Sequence, residues 1–327
     1  MNMDLAEKII GGYRIKSAEE LLEIVEQTPR EELYEITHKI TRALCGDGFD
    51  TCSIINVKSG LCGEDCKWCA QSTHFNTHCE TYDVLNDERV LPLAKHNAEL
   101  GIKRFSLVGS GKRPTRKETD QYVERFESLK KKLPNLSLCA SLGLADREAL
   151  QRLYDAGCST YHCNMESAPS FFPTLCSTHT QKQKEETLRA AQEVGMRRCS
   201  GGIIGMGESR EQRAELALYL QSLGIESIPI NILHPIAGTP LEHTEPLGSE
   251  EILLTFCLFR LANPTAFLRF SGGRAQLTEE VQKKALYIGI NAAITGGLLT
   301  TTASVTERDM VLFKEMNYQT DKPTDWR

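Results

Sequence analysis

An excess of one charge sign is missing: 38 Lys and Arg stand against 44 Asp and Glu, for a net charge of −6 and a pI near 5.8. No overall basic field draws the chain to nucleic acid or to an anionic membrane surface, so neither is an expected partner. Long apolar runs are missing too. The stretch MNMDLAEKIIGGYRIKSAEELLEIV places charges in every apolar segment, which excludes a signal-peptide core or a membrane span there and makes the cytoplasm the expected compartment. Repeats, low-complexity tracts and Pro/Gly-rich linkers are also absent, so nothing divides the chain. Cysteine, by contrast, is plentiful. Twelve thiols in a long chain of cytoplasmic character are expected to stay reduced for metal or redox work rather than to pair as disulfides.

A chain of 327 residues, 40% hydrophobic, can bury a large core as one unit. Short β-branched runs predict strands at Cys52–Val57, Arg104–Gly109, Leu136–Ser141, Thr160–Met165, Arg198–Ile204, Ser227–Leu233 and Ala266–Ser271, with a weaker eighth near Ile288–Ile294. Between them, Glu118–Lys132, Asp146–Ala156, Lys184–Val194, Arg210–Leu223 and Glu250–Leu261 carry apolar residues at helical spacing. Eight strands alternating with helices predict a (β/α)8 barrel of the TIM type over 51–317. Ahead of it, residues 1–50 read as a helical extension with helices near 18–28 and 30–45 that would cap one end of the barrel, and 318–327 read as a tail.

Directly after the first strand comes NVKSGLCGEDCKWCAQS, in which Cys62, Cys66 and Cys69 are spaced C-x3-C-x2-C. In such a barrel the loops after strands form the catalytic face. Three thiolates satisfy three irons of a [4Fe-4S] cube and leave the fourth open to a small chelating molecule, which is the arrangement that binds and cleaves S-adenosylmethionine (SAM). The alternative is structural zinc, which usually takes paired C-x2-C units, and no second such pair is present. Trp68, between the second and third cysteines, is either a packed aromatic or a ring placed against the adenine of SAM.

At these residues the chain resembles the biotin synthases, in SGLCGEDCKWCAQS, KRFSLVGSG, LCASLG, YHCNMESAPSFF, CSGGIIGMGES, SIPINILHPIAGTPLE and FLRFSGGRAQL, in family order from about Thr41 to Asn317. The resemblance implies that SAM is reductively cleaved to a 5'-deoxyadenosyl radical that removes hydrogens from two carbons of dethiobiotin, and that an auxiliary iron–sulfur cluster then supplies the bridging sulfur. It also implies an electron donor of the flavodoxin or ferredoxin type, and a homodimer is the expected assembly. Asn164 and Glu166 fall where the family contacts SAM ribose and substrate, with Glu here in place of Asp. Their spacing of two puts both on one face of a strand. Asn231 matches a position that hydrogen-bonds the ureido ring. Gly201, Gly202, Gly205 and Gly207 resemble the segment where backbone approaches SAM, with Gly205 the expected contact. Arg274 and Thr300–Thr302 read as structural or lid residues.

The chain departs from the family pattern in its auxiliary ligands. Cys139, Cys199 and Arg269 match three of the usual four, but the remaining cysteine is Ser106, and oxygen is a harder ligand than thiolate. Extra thiols stand at Cys79, Cys163 and Cys176, Cys163 being expected to point outward on strand alternation. Ligand supply therefore predicts a four-iron auxiliary cluster held by Cys139 and Cys199 plus loop cysteines drawn from Cys79, Cys163 and Cys176, with Arg269 beside it or among its ligands. Cys45, Cys158 and Cys257 read as small buried hydrophobes. His179 replaces a family arginine that pairs with the SAM carboxylate and cannot make the same bidentate fork. Two further readings stay open: a sibling enzyme of the hydrogenase-maturation or methylornithine-forming type without sulfur insertion, and a non-catalytic iron–sulfur sensor.

Overall fold

The computed structural model describes residues 3–297 and 305–322. The candidate lid Thr300–Thr302 lies outside the described residues. The strands are β1 (Asp50–Lys58), β2 (Arg104–Gly109), β3 (Ser137–Ser141), β4 (Cys158–His162), β5 (Arg197–Cys199), β6 (Gly202–Ile204), β7 (Ser227–Ile232), β8 (Phe267–Phe270) and β9 (Ala292–Ile294). Every pairing is parallel; β1 pairs with both β2 and β9, and β5 pairs with β7, so the sheet closes on itself. β5 and β6 both lie beside β7 and are two halves of a fifth strand broken at Ser200–Gly201. The result is an eight-position barrel, as the pattern of alternating elements predicts.

Eight helices follow the eight positions: α4 (Asp87–Glu99), α5 (Arg116–Lys132), α6 (Arg147–Asp155), α7 (Gln181–Glu193), α8 (Arg210–Ser222), α9 (Ser249–Ala262), α10 (Glu279–Ile288) and α11 (Thr306–Glu315). Short polar side chains start several of them. Thr115, Thr180 and Ser209 each form a capping box with the residue three positions on, which satisfies the free amides of the first turn. Three further helices precede the barrel: α1 (Met3–Ile10), α2 (Ala18–Gln27) and α3 (Arg30–Cys45). α2 and α3 pack along the outer flank against α8, α9 and α10, and the C-terminal half of α3 also reaches the turns at the barrel end opposite the cysteine loop, Thr41 bonding the Ile288 carbonyl, Arg42 the Met316 carbonyl and Cys45 the Pro264 carbonyl. The flank packing explains why α9 is buried from Ile252 through Ala262 with little amphipathic character: it lies between the barrel and the added helices.

The remaining differences sit at boundaries. α4 was not anticipated, because Pro92 interrupts its pattern, although Val90 and Ala94 still form a buried face. Ile288 ends α10 rather than starting the last strand. Phe49, at the start of β1, stacks on Phe313 of α11 and meets Tyr318 edge-on, so the packed body extends past residue 317. Among the described residues no helix is long and apolar enough to cross a membrane.

Candidate active site

β1 delivers the chain to the cysteine loop at the mouth of the barrel. The loop is closed on itself by backbone bonds: the Cys62 N–H reaches the Gln71 carbonyl at 3.0 Å, and the Thr73 N–H reaches the Cys62 carbonyl at 2.8 Å. Gly60 makes the entry turn at φ +72, where a Cβ would fall 2.5 Å from the Thr81 hydroxyl oxygen. Cys62, Cys66 and Cys69 then face one cavity of about 220 Å³, lined also by Trp68, Asn164, Glu166, His179 and Lys184. Among the described residues, one group has ligand atoms close enough for a single ion: Cys66, Cys176 and His179, within 4.8 Å of one another. The three loop thiols are spread more widely around the cavity, as a multi-iron cube requires.

Cys176 therefore belongs to this loop. Its sulfur lies 3.7 Å from that of Cys66, whose thiol donates to it, and this pushes the Cys66 thiol up while drawing Cys176 down. His179 sits 3.3 Å from the same sulfur, and its Nδ1 donates to Glu64 at 2.6 Å. That ring is thus positioned by a carboxylate through Nδ1, while its Nε2 lies 3.9 Å from the Cys176 sulfur. Lys184, in the first turn of α7, brings a buried cation to the cavity: burial lowers its pKa, but neighbouring Cys163 and Glu166 outweigh that and hold it up.

Asn164 and Glu166 reach the cavity by a route that alternation does not describe. β4 ends at His162, so YHCNM is not all strand, and Glu166 stands at φ +70, a left-handed conformation uncommon for a side chain of its size. The conformation is held from both sides, since the Glu166 N–H donates to the Gly201 carbonyl and its own carbonyl accepts from Ile203. Both side chains still converge, with the Asn164 amide 3.3 Å from the Glu166 carboxylate. Burial raises the Glu166 pKa, and Lys184 and Asn164 oppose the shift. Cys163 follows the strand end and lines the same upper cavity instead of pointing outward.

Deeper in the barrel lies a second cavity of about 320 Å³, whose walls include Asn164, Glu166 and Trp68 as well. Asn231 spans its wall, donating to the Gly202 carbonyl at 3.0 Å and accepting from the Gly272 N–H at 2.9 Å. Further down, the lining is Cys52, Ser106, Cys139, Cys199 and Arg269. Asp50, fully buried, pairs with Arg269 at 2.7 Å and Arg104 at 2.8 Å. Desolvation raises its pKa, and the two guanidinium groups outweigh it and hold the carboxyl below its usual range. His162 lines both cavities and stays neutral, its pKa lowered to about 4 by burial and by the charges of Lys184 and Arg269.

Residues 56–220 match the Radical SAM superfamily and residues 229–319 the Biotin and Thiamin Synthesis associated domain. The Biotin synthase of Porphyromonas gingivalis is 58% identical over 308 residues, which covers 94% of this chain and 93% of that one. The chain belongs to the biotin synthase family. The Biotin synthase of Parabacteroides distasonis is 52% identical, with 97% of each chain covered. Among solved structures, methylornithine synthase overlays with a TM-score of 0.81 at 17% identity over 96% of both chains. A maturase of the [FeFe]-hydrogenase overlays at 0.79 and 16%, covering 97% of this chain and 74% of that one. At those identities the overlays show the shared barrel.

Within this biotin synthase framework the loop cysteines are not distributed as ligand supply suggests. Cys176 is at Cys66, Cys163 lines the upper cavity, and Cys79 lies 3.7 Å from the Ser59 hydroxyl without lining either cavity. None joins Cys139 and Cys199, because those two hang from mid-barrel strands while the others stand on loops at the mouth. Gly205 lines neither cavity, and its N–H is taken by the Glu208 carboxylate at 2.7 Å. Arg274 is structural, as expected: it pairs with Asp309 and lies over Phe270. Cys52, His162, Lys184 and Glu64 escape sequence reasoning. The inward phase of their strands was the available signal for Cys52 and His162, and nothing local marks the other two.

Proposed function

We propose that this chain closes dethiobiotin to biotin by radical sulfur insertion, in the reducing environment of the cytoplasm. The observation that carries the reading is continuity: the three-thiol loop, the Asn164–Glu166 pair and Asn231 all line one passage from barrel mouth to interior. When bound, a [4Fe-4S] cluster with SAM supplies a carbon radical able to remove hydrogen from unactivated carbons, and an auxiliary cluster supplies the sulfur. Holding and orienting these groups and the substrate falls to side chains of this chain. Cys62, Cys66 and Cys69 hold the first cluster, and Trp68, at the junction of the two cavities, offers a face to adenine. Asn164 and Glu166 are placed for the ribose hydroxyls. Lys184, with Nε2 of His179 beside it, supplies the cation for the SAM carboxylate in place of a bidentate arginine. Asn231 retains one amide hydrogen and one lone pair for the ureido ring. The mostly apolar wall excludes water from the radical.

The auxiliary cluster belongs in the interior beside Cys139 and Cys199, and we propose that it is of the four-iron class. An external one-electron donor of the flavodoxin or ferredoxin type and a homodimeric assembly complete the proposal. Anaerobic reconstitution followed by assay tests it. The protein is expected to form biotin from dethiobiotin with about eight irons per chain, and Cys62→Ala, Cys66→Ala or Cys69→Ala to abolish 5'-deoxyadenosine formation. Failure of dethiobiotin to bind or to stimulate SAM cleavage hands the reading to a sibling enzyme without sulfur insertion.

A further inference from the structure

We infer that Cys52 is the third thiolate of the auxiliary cluster and fills the place that Ser106 leaves vacant. The inference rests on the reading that the barrel interior holds such a cluster. A serine hydroxyl is a poorer partner for iron than a thiolate, so Cys139 and Cys199 need another sulfur at their depth. Side chains alternate along β1, and Cys52 and Ile54 are the residues it turns toward the deep cavity. β1 and β2 are neighbours in which Cys52 is in register with Arg104 and Ile54 with Ser106. The ligand has therefore moved one strand over and one inward position down, still on the wall that carries Cys139, Cys199 and Arg269. Among the described residues the other thiol lining this cavity is Cys69, which belongs to the mouth loop; Cys158 and Cys257 pack in the hydrophobic layer, Cys45 bonds the Pro264 carbonyl, and Cys62, Cys66, Cys79, Cys163 and Cys176 stand outside this cavity.

The charges at this depth point the same way. Two guanidinium groups, Arg104 and Arg269, share the Asp50 carboxylate at the floor of the cavity, beside three thiols. Guanidinium groups at this depth favour an anionic occupant over a neutral one. Three thiolates around a doubly charged iron–sulfur core leave one net negative charge, which suits such a wall. Arg269 is also held by Ser227 and by the carbonyls of Asp50 and Ala293, and it is accordingly a charged neighbour of the cluster, not a ligand.

The test compares wild type, Cys52→Ser, Ser106→Ala and the double variant Cys52→Ser/Ser106→Cys, each reconstituted anaerobically as the full chain. Iron and sulfide counts and Mössbauer spectra are the readouts. If wild type carries only the iron of the cysteine loop, the reading of a second cluster fails before Cys52 is tested. With the second cluster present, Cys52→Ser is expected to fall to about half the wild-type iron while keeping the spectrum of the loop cluster. Ser106→Ala should keep the full count, and the double variant should regain what Cys52→Ser loses. Wild-type iron and spectrum in Cys52→Ser, or loss of the auxiliary signal in Ser106→Ala, overturns the inference. Should Cys52→Ser lose the loop cluster too, through misfolding, the double variant decides: recovery of both signals supports the role of Cys52, and loss of both rejects it.

Discussion

Asn231 spends half of its hydrogen-bonding capacity on the protein, tying the Gly202 carbonyl to the Gly272 N–H across the cavity wall. Replacing it by Ala strands both backbone groups, at a cost of about 1–3 kcal/mol. Urea unfolding of the cluster-free protein should show that loss, and dethiobiotin affinity should fall with it. A variant that loses affinity but no stability would mean that the bridge contributes nothing to the fold. Asp50 carries more. Its removal as Asp50→Asn leaves two buried guanidinium groups without their carboxylate, and about 3–5 kcal/mol of stability is expected to go. The pH dependence has a definite sign. Because the folded state holds this carboxyl below its ordinary value of 3.8, its contribution is fully present above that pH and drains away as pH falls through the folded value. The stability gap between wild type and Asp50→Asn should be constant above about pH 4 and narrow below it. A gap that widened in acid would contradict the assignment.

The fifth strand shows how a break in an element positions a site. Between β5 and β6 the Gly201 N–H leaves the ladder for the Asn164 side chain at 2.9 Å, and this orients the amide toward the cavity. A Cβ on Gly201 would lie 1.9 Å from the Pro229 carbonyl oxygen. Gly201→Ala must displace β7 and is expected to cost at least about 1–3 kcal/mol, the range of an overpacked core; thermal melts within a degree of wild type would refute that. At α7, Thr180 caps the turn that carries Lys184 into the site. Thr180→Ala should cost about 1 kcal/mol. Element identity was largely legible in the sequence because apolar runs flanked by helical spacing reflect a physical alternation of layers. Element ends were less so. YHCNM stops being strand after His162 because Glu166 takes a left-handed turn held by Gly201 and Ile203, partners distant in sequence.

For the molecule as a whole, the closed barrel and its catalytic mouth could be read from the order of strands and from one cysteine spacing. The interior ligands could not be read fully, since which thiols meet depends on strand phase and barrel depth: Cys176 and Cys199 are both candidate auxiliary ligands in sequence, yet one stands at the mouth and the other inside. Cluster binding couples to the stability of this whole body, because it takes place in the folded interior. Reconstituted protein is expected to melt about 5 °C or more above the iron-free form, and equal melting temperatures would exclude tight loading. Closure has a further consequence, in time. β1 finds one neighbour in β2 and the other in β9, so its second edge waits for nearly the last strand to be made. On the ribosome that edge stays bare while the rest of the barrel emerges, open to wrong pairing and in need of chaperone cover. During the same interval the deep thiols are reachable from the side as well as from the mouth. Arrested nascent chains that stop before Ala292 should accordingly be cut readily by protease, and chains released beyond Tyr318 should resist it.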